Sequence, residues 1–555
     1  MKDVMRKIMT AMIFTTMIKS RWVMVISLSF IIYHLSFSRA AAQGAAAQEG
    51  SYRYADAMEL WRLTQNAAGL SIDNPYKVGR GYAHFDLSHR SGDYHRVQEG
   101  GQRNMLAFDT ERYQNIGKYM KGYGRFTFGM DRTKGRAWAD RWNPYEDSPF
   151  FTGSSVKGKY DTQLFDLTAA IASMPLHKRN ISDHEQLMLG ARLDYKVGDQ
   201  SRLRDPRSRN ELLQYRLTPA IAYSFGPGSE RTIGLSGHYD RRKEKLPGIV
   251  TVQEDPNLMY YVMSGMEAAT GTVGGYKSFS REWVRHELGA ELSYGFYAWK
   301  PYRDECPYFT VSTLTIARAT EDAWGQYKYS PGKYTSYSYG LTTRHRIRQG
   351  RLLHQADLTA GYTEGYADEY RQTLVQERDA EQGYTSFHYD TQMVYKKRYQ
   401  RQAFNASLHY RLNQVGVSDV KSYVGVGAAL QGTRIKHLLH TSEQDCQRLS
   451  LMVEGGYGLL GGRLWIDAQA TYSPSLKADM TLADATTDYA QQVLQPDMAY
   501  YDADCRRGQL SAKYLFPLTI KGMKAGVYVK AYYDRLQTHD DRSLQTVGLS
   551  FGFYN

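Results

Sequence analysis

Hydrophobic and polar residues alternate along most of the chain, most clearly in its final segment, Ser543–Tyr554. On one side of an extended strand fall the apolar residues Val547, Leu549, Phe551 and Phe553. Small or polar residues fall on the other side, because successive side chains of a strand point to opposite faces. An apolar face backed by small polar residues is typical of a strand with lipid outside and a wet lumen inside. We therefore predict that this segment is the closing strand of an outer-membrane β-barrel.

The same alternation recurs from Arg80 onward in segments of roughly 9 to 15 residues, the length that a tilted strand needs to cross a membrane. Clear examples are Leu187–Tyr195, Leu213–Phe225, Leu288–Phe296 and Leu464–Thr471. A soluble β-sandwich would show the same pattern with its polar face in water. A predicted export signal and the aromatic final strand favour lipid on the apolar face instead.

The connections between these segments are alternately short and long, as expected for the periplasmic turns and external loops of a barrel. The predicted periplasmic turns are 112–118, 226–230, 348–351, 413–420, 460–462 and 517–523. The predicted external loops are 134–159, 242–284, 365–393 and 475–504. The connection at 174–186 is long for a turn. The pattern predicts an all-β, antiparallel transmembrane barrel of about 18 strands, within a range of roughly 16 to 20.

The first residues have the features of a secretory signal, which we predict over residues 1–42. An apolar run, 22–37, follows Lys19 and Arg21, and Ala40–Ala42 provides a small-residue cleavage site. At about 16 residues the run is shorter than the roughly 20 that a spanning helix needs, which disfavours a membrane anchor.

Residues 43–78 are predicted to form an N-terminal segment with a short helix, ahead of a barrel that occupies residues 79–555. Met58 and Trp61 belong to a set of apolar residues that recurs near a helical period. We expect this segment to cap the periplasmic mouth of the barrel or to plug its lumen. Trp61 and Asn66 are the candidate plug residues.

Composition agrees with a barrel and excludes a bundle of membrane helices. After the predicted signal, no segment approaches the roughly 18 consecutive apolar residues of a spanning helix, and the mean hydropathy is −0.56. The 46 Tyr and 49 Gly suit interfacial girdles and tight strand packing. The formal charge of +13 is spread without a dense basic block, so no nucleic-acid partner is expected.

Several short motifs resemble those of a known family, namely Phe108–Tyr113, Asn143–Tyr145, Asp205–Arg207 and Leu217–Pro219. Together with the Tyr- and Gly-rich strands, they resemble the uncharacterised outer-membrane β-barrel proteins of the Bacteroidales, a family of unknown function. This resemblance implies a location and a fold, and no catalytic role. Gln65–Leu70 is also similar to a segment near the start of outer-membrane long-chain fatty-acid transporters, although Ala67 stands where that family has a proline.

Charged residues on the inward side of the predicted strands are the candidate lumen residues. They are Arg192, Asp194, Arg216, Glu287, Glu291, Asp467, Lys513 and Lys530. Such charges either select solutes by field and size or pair across strands to fill a closed interior. The sequence pattern is compatible with both arrangements.

The three cysteines, Cys306, Cys446 and Cys505, allow at most one internal disulfide. Cys446 and Cys505 begin inward-running strands in similar sequence settings, so a bridge between them is one hypothesis and two free thiols is the other. No metal site or cofactor is predicted. His437 and His440, with Glu443 and Asp445 nearby, are a possible metal-binding cluster, but among 15 His such neighbours are expected by chance. We expect no enzyme, although His539–Asp541 is a compact group that an omptin-like or phospholipase-like activity could use.

The expected function is passage or uptake of a small solute through the lumen of a barrel in the cell outer membrane. One alternative is uptake of an apolar ligand, as in fatty-acid transporters, and another is a surface barrel that binds or assembles with a partner. Expected contacts are membrane lipid, lipopolysaccharide, the barrel-assembly machinery through the C-terminal strand, and a surface lipoprotein.

Overall fold

The computed structural model describes residues 49–73, 81–145, 148–176, 185–252, 258–273, 279–298, 308–378, 385–520 and 523–554. The predicted signal peptide and Cys306 lie outside these residues. No helix in the described ranges is both long and apolar enough to cross a membrane.

The described helices are short, and most of the structure is strand. The α-helices are α1 (Glu49–Met58), α2 (Leu70–Asp73) and α3 (Gln495–Asp502), and a π-helix, Ala490–Leu494, leads into α3. Single turns of 3₁₀-helix lie at Trp61–Leu63, Ala67–Gly69, Pro227–Ser229, Gln326–Lys328 and Leu460–Gly462. The strands are β1 (Gly81–Gly92), β2 (Gln102–Ile116), β3 (Met120–Arg136), β4 (Phe151–Gly153), β5 (Gly158–Ser173), β6 (Gln186–Arg202), β7 (Arg207–Phe225), β8 (Arg231–Leu246), β9 (Ile249–Val250), β10 (Met259–Gly265), β11 (Ala268–Val273), β12 (Arg281–Ala298), β13 (Tyr308–Gly325), β14 (Gly332–Gln349), β15 (Leu352–Arg378), β16 (Thr385–Val415), β17 (Val420–His437), β18 (Ser442–Leu459), β19 (Leu464–Ser473), β20 (Ser475–Thr481), β21 (Cys505–Ile520), β22 (Met523–Thr538) and β23 (Ser543–Tyr554).

Within the described residues, eighteen antiparallel strand positions close into one barrel. Neighbours pair in chain order, except that β3 pairs with β5 and β8 pairs with β12 across external insertions. β19 and β20 lie on either side of Pro474, pair with the same strand, β18, and form one position. β1 pairs with β23, where Phe85 stands opposite Phe551, and this pairing closes the barrel. The predicted fold, the strand number and the short N-terminal helix are confirmed.

Apolar side chains cover the outside of the barrel and polar side chains fill its inside. Along β12, Leu288 and Leu292 are 66% and 50% exposed, whereas Glu291 and Ser293 are 4% and 0% exposed. This is the reverse of the arrangement in a water-soluble fold. A closed barrel satisfies its backbone groups between strands, and its apolar surface suits lipid. The protein therefore lies in the outer membrane.

The longest described connections lie at the external end of the barrel, as predicted for 134–159 and 475–504, whereas the predicted external loop 365–393 is mostly strand, because β15 runs to Arg378 and β16 begins at Thr385. On the periplasmic side, the connection between β7 and β8 spans only 226–230. On the external side, β4, β10 and β11 form a small three-stranded sheet, and α3 lies between β20 and β21. β15 and β16 contain 27 and 31 residues, far more than the roughly 10 needed to cross a membrane. The strands and loops of the external side therefore reach well beyond the lipid.

Candidate functional site

The N-terminal segment, defined here as residues 49–73, lies across the periplasmic mouth of the barrel. Trp61, near its centre, is completely buried. The indole packs against Gly234 of β8 and Gly295 of β12, where a methyl group would come within 2.9 and 2.8 Å of ring atoms. The two glycines therefore create the space that the indole occupies.

Asn66 holds the next turn of the N-terminal segment against the wall. Its side-chain amide donates to the Ile221 carbonyl at 3.0 Å, and its Oδ1 accepts from the Ala68 N–H at 3.0 Å. Further along, the Ser71 hydroxyl donates to the Ser173 carbonyl at 2.6 Å. Asn66 thus caps a turn and ties that turn to β7.

An ion pair anchors the start of the N-terminal segment on the opposite wall. The Arg53 guanidinium donates to both carboxylate oxygens of Asp467 at 2.9 Å. It also lies over the Trp465 ring, 4.4 Å from the centroid. Both charged side chains keep about a fifth of their surface exposed, so the pair is reachable by water and salt.

Two further candidate lumen residues contact the N-terminal segment. Lys513 of β21 lies 2.7 Å from the Glu49 carboxylate, and both side chains are largely buried. Glu291 of β12 accepts the backbone N–H of Gln65 at 3.1 Å. Asp467, Lys513 and Glu291 therefore all hold the N-terminal segment at the periplasmic mouth.

Other candidate lumen residues pair with one another on the barrel wall. Arg192 lies 2.8 Å from Asp194 on the same strand. Arg216 bridges Asp240 at 3.0 Å and Glu287 at 3.1 Å. These charges are neutralised locally, which leaves little net field at their positions.

Lys530, the remaining candidate, lines a cavity of about 600 Å³ inside the barrel. Its ammonium lies 5.7 Å from the centroid of the Tyr532 ring. Asp467 and Lys513 line the same cavity, so this space directly adjoins the anchors of the N-terminal segment.

A larger cavity, of about 860 Å³, lies beneath the external loops. Its charged lining comprises Arg96, Arg216, Arg242, Arg285, Arg401, Arg448, Asp240, Glu287 and Asp497. Six of these nine side chains are cationic and three are anionic. We call this space the external cavity.

Arg401 and Arg448 give the external cavity its excess of positive charge. Among the described residues, Arg401 has neither a hydrogen-bond acceptor nor a carboxylate partner, and its Nε is buried. Arg448 donates at 3.0 Å to the carbonyls of Tyr500, Tyr501 and Ala503. Arg448 thereby fixes the end of α3, where free carbonyls favour a cation.

Asp497 of α3 is the carboxylate nearest the roof of the external cavity. It accepts the Val97 N–H and the Tyr145 hydroxyl, each at 2.9 Å. Burial raises the pKa of Asp497 to about 6. The cavity therefore becomes more positive below this pH.

The roof is a folded layer with a core of its own. Trp138, Phe151, Tyr261, Tyr489 and Val493 form a buried cluster. These residues come from four different stretches of the external side, so the loops hold one another in place.

A buried ion pair also supports this roof. Arg141 lies 2.7 Å from Glu321 of β13, and both side chains are almost fully buried. The Ser148 hydroxyl donates to the same carboxylate at 2.5 Å. Because a buried charge is stable only with partners, this arrangement fixes the loop against the wall.

The hypothesis of a disulfide between Cys446 and Cys505 is wrong: both are free and buried. The strand formed by β19 and β20 lies between them. Two strand spacings amount to about 9 to 10 Å, which exceeds the roughly 7 Å that a disulfide spans. The Cys446 Sγ lies instead 3.9 Å from the Met498 Sδ.

No group of three or more His, Cys, Asp or Glu side chains in the described ranges is arranged to hold a metal ion. His437 and His440 stack with their centroids 4.6 Å apart. The exposed Asp540 carboxylate accepts from Arg542 at 2.8 Å, so it is engaged within its own hairpin tip.

The external cavity and the N-terminal closure use residues that the sequence pattern did not single out. Arg401, Arg448 and Arg53 were not among the candidate site residues predicted from the sequence. Arg401 shares a face of β16 with Tyr399 and Ala403, and this inward alternation is the signal that could have found it.

Comparison with known proteins shows the family of this chain. A sequence model described as a family of unknown function, DUF6850, matches residues 67–555. No curated protein is significantly similar to the chain. A solved copper transporter, OprC, is 11% identical, with 86% of this chain and 82% of that chain covered and a TM-score of 0.35. The outer membrane protein OpdK from Pseudomonas aeruginosa is 9% identical, with 85% and 98% covered and a TM-score of 0.31.

Proposed function

This chain belongs to that family of unknown function, and we propose that it is a gated outer-membrane transporter for a small polar solute. The observation that carries the proposal is the closure of the periplasmic mouth by the N-terminal segment, with cavities on its lumen side and beneath the external loops. A passage that is closed at rest needs such a removable element.

The ionic contacts of the N-terminal segment suit an element that can leave. Arg53 with Asp467 and Glu49 with Lys513 are ion pairs, which water and salt can replace once the segment moves. Hydrogen bonds that involve a charged group contribute about 1.5 to 3 kcal/mol each. Loss of a few such contacts would shift the balance between closed and open states substantially.

The proposed passage runs from the external cavity into the lumen and out past the displaced N-terminal segment. It involves diffusion and reversible binding, with no covalent step. The lining of the external cavity, which includes Arg401, Asn405 and Gln431, favours a polar solute. It disfavours the alternative of an apolar ligand, as carried by fatty-acid transporters, which would require an apolar pocket.

A second candidate function is partner binding by the hairpin of β15 and β16. Its projecting part exposes Leu374, Phe387 and Met393, at 45%, 38% and 49%. Exposed apolar groups beyond the membrane suit a protein partner such as a surface lipoprotein. Replacing all three by serine should abolish co-purification of such a partner and leave solute flux unchanged.

Flux of a small polar solute into proteoliposomes tests the proposed function. Arg53→Glu places two carboxylates together at the anchor and should raise the flux about tenfold or more. The exchange Arg53→Asp with Asp467→Arg restores an ion pair and should return the flux to the wild-type level. Equal flux in all three proteins would contradict the gating role of the N-terminal segment.

A further inference from the structure

We infer that the external cavity binds a hydroxyl-rich solute that carries an anionic group, and that Arg401 is the anchor for this anion. The inference names the solute class for the transport proposed above and rests on it for physiological meaning. Binding itself can be measured without any transport.

The size of the external cavity fits a small organic solute. Its volume of about 860 Å³ lies within the roughly 300 to 1,000 Å³ typical of ligand pockets. This is far more space than a single inorganic ion fills. The occupant is therefore a molecule with further groups that contact the remaining wall.

The uncharged residues of the lining indicate the chemistry of the other groups of the solute. Amide side chains line the cavity at Asn405, Gln431, Gln444 and Gln447. Each amide offers both donors and acceptors, which match the hydroxyl groups of a sugar-like molecule.

The charges that line the cavity do not cancel. Arg216 and Arg285 share Glu287, at 3.1 and 2.9 Å, and Arg216 also bridges Asp240. Arg242 pairs with Glu244, which lies next to the cavity. Arg96 pairs with Glu99 at 2.6 Å. After these pairings, Arg401 and Arg448 remain as the cations without a carboxylate partner among the described residues. One lining carboxylate also remains, Asp497, which accepts hydrogen bonds from Val97 and Tyr145, so the balance stays positive.

Of these two arginines, Arg401 is the one available to a solute. Arg448 donates hydrogen bonds to the three carbonyls at the end of α3 and to the Tyr94 hydroxyl, the last at 2.9 Å. Arg401 donates no such hydrogen bond, and its buried Nε has no acceptor in the described structure. A guanidinium with free N–H groups matches a carboxylate, sulfate or phosphate group in two parallel hydrogen bonds.

Calorimetric titration of the detergent-solubilised full chain tests this inference, with lactobionate as the anionic probe and lactose as its neutral match. Lactobionate should bind about tenfold or more tightly than lactose, since a charge-assisted hydrogen bond is stronger than a neutral one. Arg401→Gln should remove this preference, and Arg401→Lys should retain part of it.

The control is Arg411→Gln, ten residues along the same face of β16, where Arg411 pairs with Glu454 at 2.8 Å. It should leave the preference for lactobionate unchanged. Equal affinity for lactobionate and lactose, or an unchanged preference in Arg401→Gln, would overturn the inference. Selective binding without flux in proteoliposomes would sustain the anion site and contradict the proposed transport instead.

Discussion

The two mouths of the barrel are closed in different ways. At the external mouth, loops pack on one another around Trp138 and Tyr489, and a buried ion pair joins Arg141 to Glu321. At the periplasmic mouth, one continuous stretch of chain, the N-terminal segment, packs Leu60 and Trp61 against β13 and is joined to the wall by ion pairs such as that between Arg53 and Asp467. The external side is therefore held by several loops that pack on one another, whereas the periplasmic side is covered by a single stretch of chain, which the proposed function requires to detach without unfolding the barrel.

This difference assigns a role to each end. The external side holds a preformed cavity, which suits recognition of a solute. In the proposed function, the contact of the N-terminal segment on the periplasmic side controls release. Substitutions at the two ends should therefore have separable effects.

The largest expected effect is at Trp61. Trp61→Ala should weaken docking of the N-terminal segment by about 4 kcal/mol, because it empties the space between Gly234 and Gly295. Limited proteolysis should then cleave the segment rapidly while the barrel stays resistant. Leu63→Ala is the matched control, since Leu63 is 47% exposed. Equal cleavage in both variants would show that the indole does not hold the closure.

A somewhat smaller effect is expected at the external mouth. Glu321→Gln should destabilise the roof by about 3 kcal/mol, because Arg141 keeps a buried charge with weakened compensation. Proteolysis should then cut external loops and leave the N-terminal segment protected. Simultaneous release of both regions would contradict their independence.

A smaller effect on docking of the N-terminal segment is expected at Glu291, which accepts the Gln65 N–H. Glu291→Gln keeps one acceptor and removes the charge, so docking should weaken by about 1 kcal/mol. Hydrogen exchange of the N-terminal segment should accelerate about fivefold. No acceleration would mean that this contact does not limit undocking.

The pH dependence of docking gives a separate test, because its effect accumulates over several pH units. Burial raises the pKa of Asp73 to about 8. Glu59 adds to this rise and Arg62 opposes it. Lys121 and Arg344 are the cations on the facing strands. An undocked Asp73 would have its ordinary pKa near about 4. Docking therefore takes up a proton between these values and weakens as pH rises from about 4 to about 8.

Hydrogen exchange of the N-terminal segment at several pH values, corrected for intrinsic rates, should show this weakening as at most a tenfold change per pH unit. Asp73→Asn cannot titrate, so its corrected docking should be nearly independent of pH in the same window. A wild-type profile as flat as that of the variant would rule out the role of Asp73.

Much of the barrel could be predicted from the sequence because strand alternation records which face meets lipid. Leu288 and Glu291 were placed on opposite faces by pattern alone, and the structure agrees. The same reasoning could not find the partner of Asp467, since Arg53 lies 414 residues away in sequence. Alternation describes a strand and its faces, and it contains no information on what fills the lumen.

Two other features escaped prediction for related reasons. Arg401 of β16 is flanked in sequence by Gln400 and Gln402, so the alternation of polar and apolar residues is weak at this position and Arg401 does not stand out. The settings of Cys446 and Cys505 suggested proximity, yet an intervening strand separates them. Family membership adds no function, because the family itself has none assigned.

Single-channel conductance of the full chain in a planar bilayer tests the central claim most directly. The wild-type protein should stay closed with rare openings, Arg53→Glu should open frequently, and the exchange Arg53→Asp with Asp467→Arg should close again. This order is expected because the anchor is an ion pair, at 2.9 Å, between the N-terminal segment and the wall. Identical traces from all three proteins, whether silent or steadily open, would contradict the account.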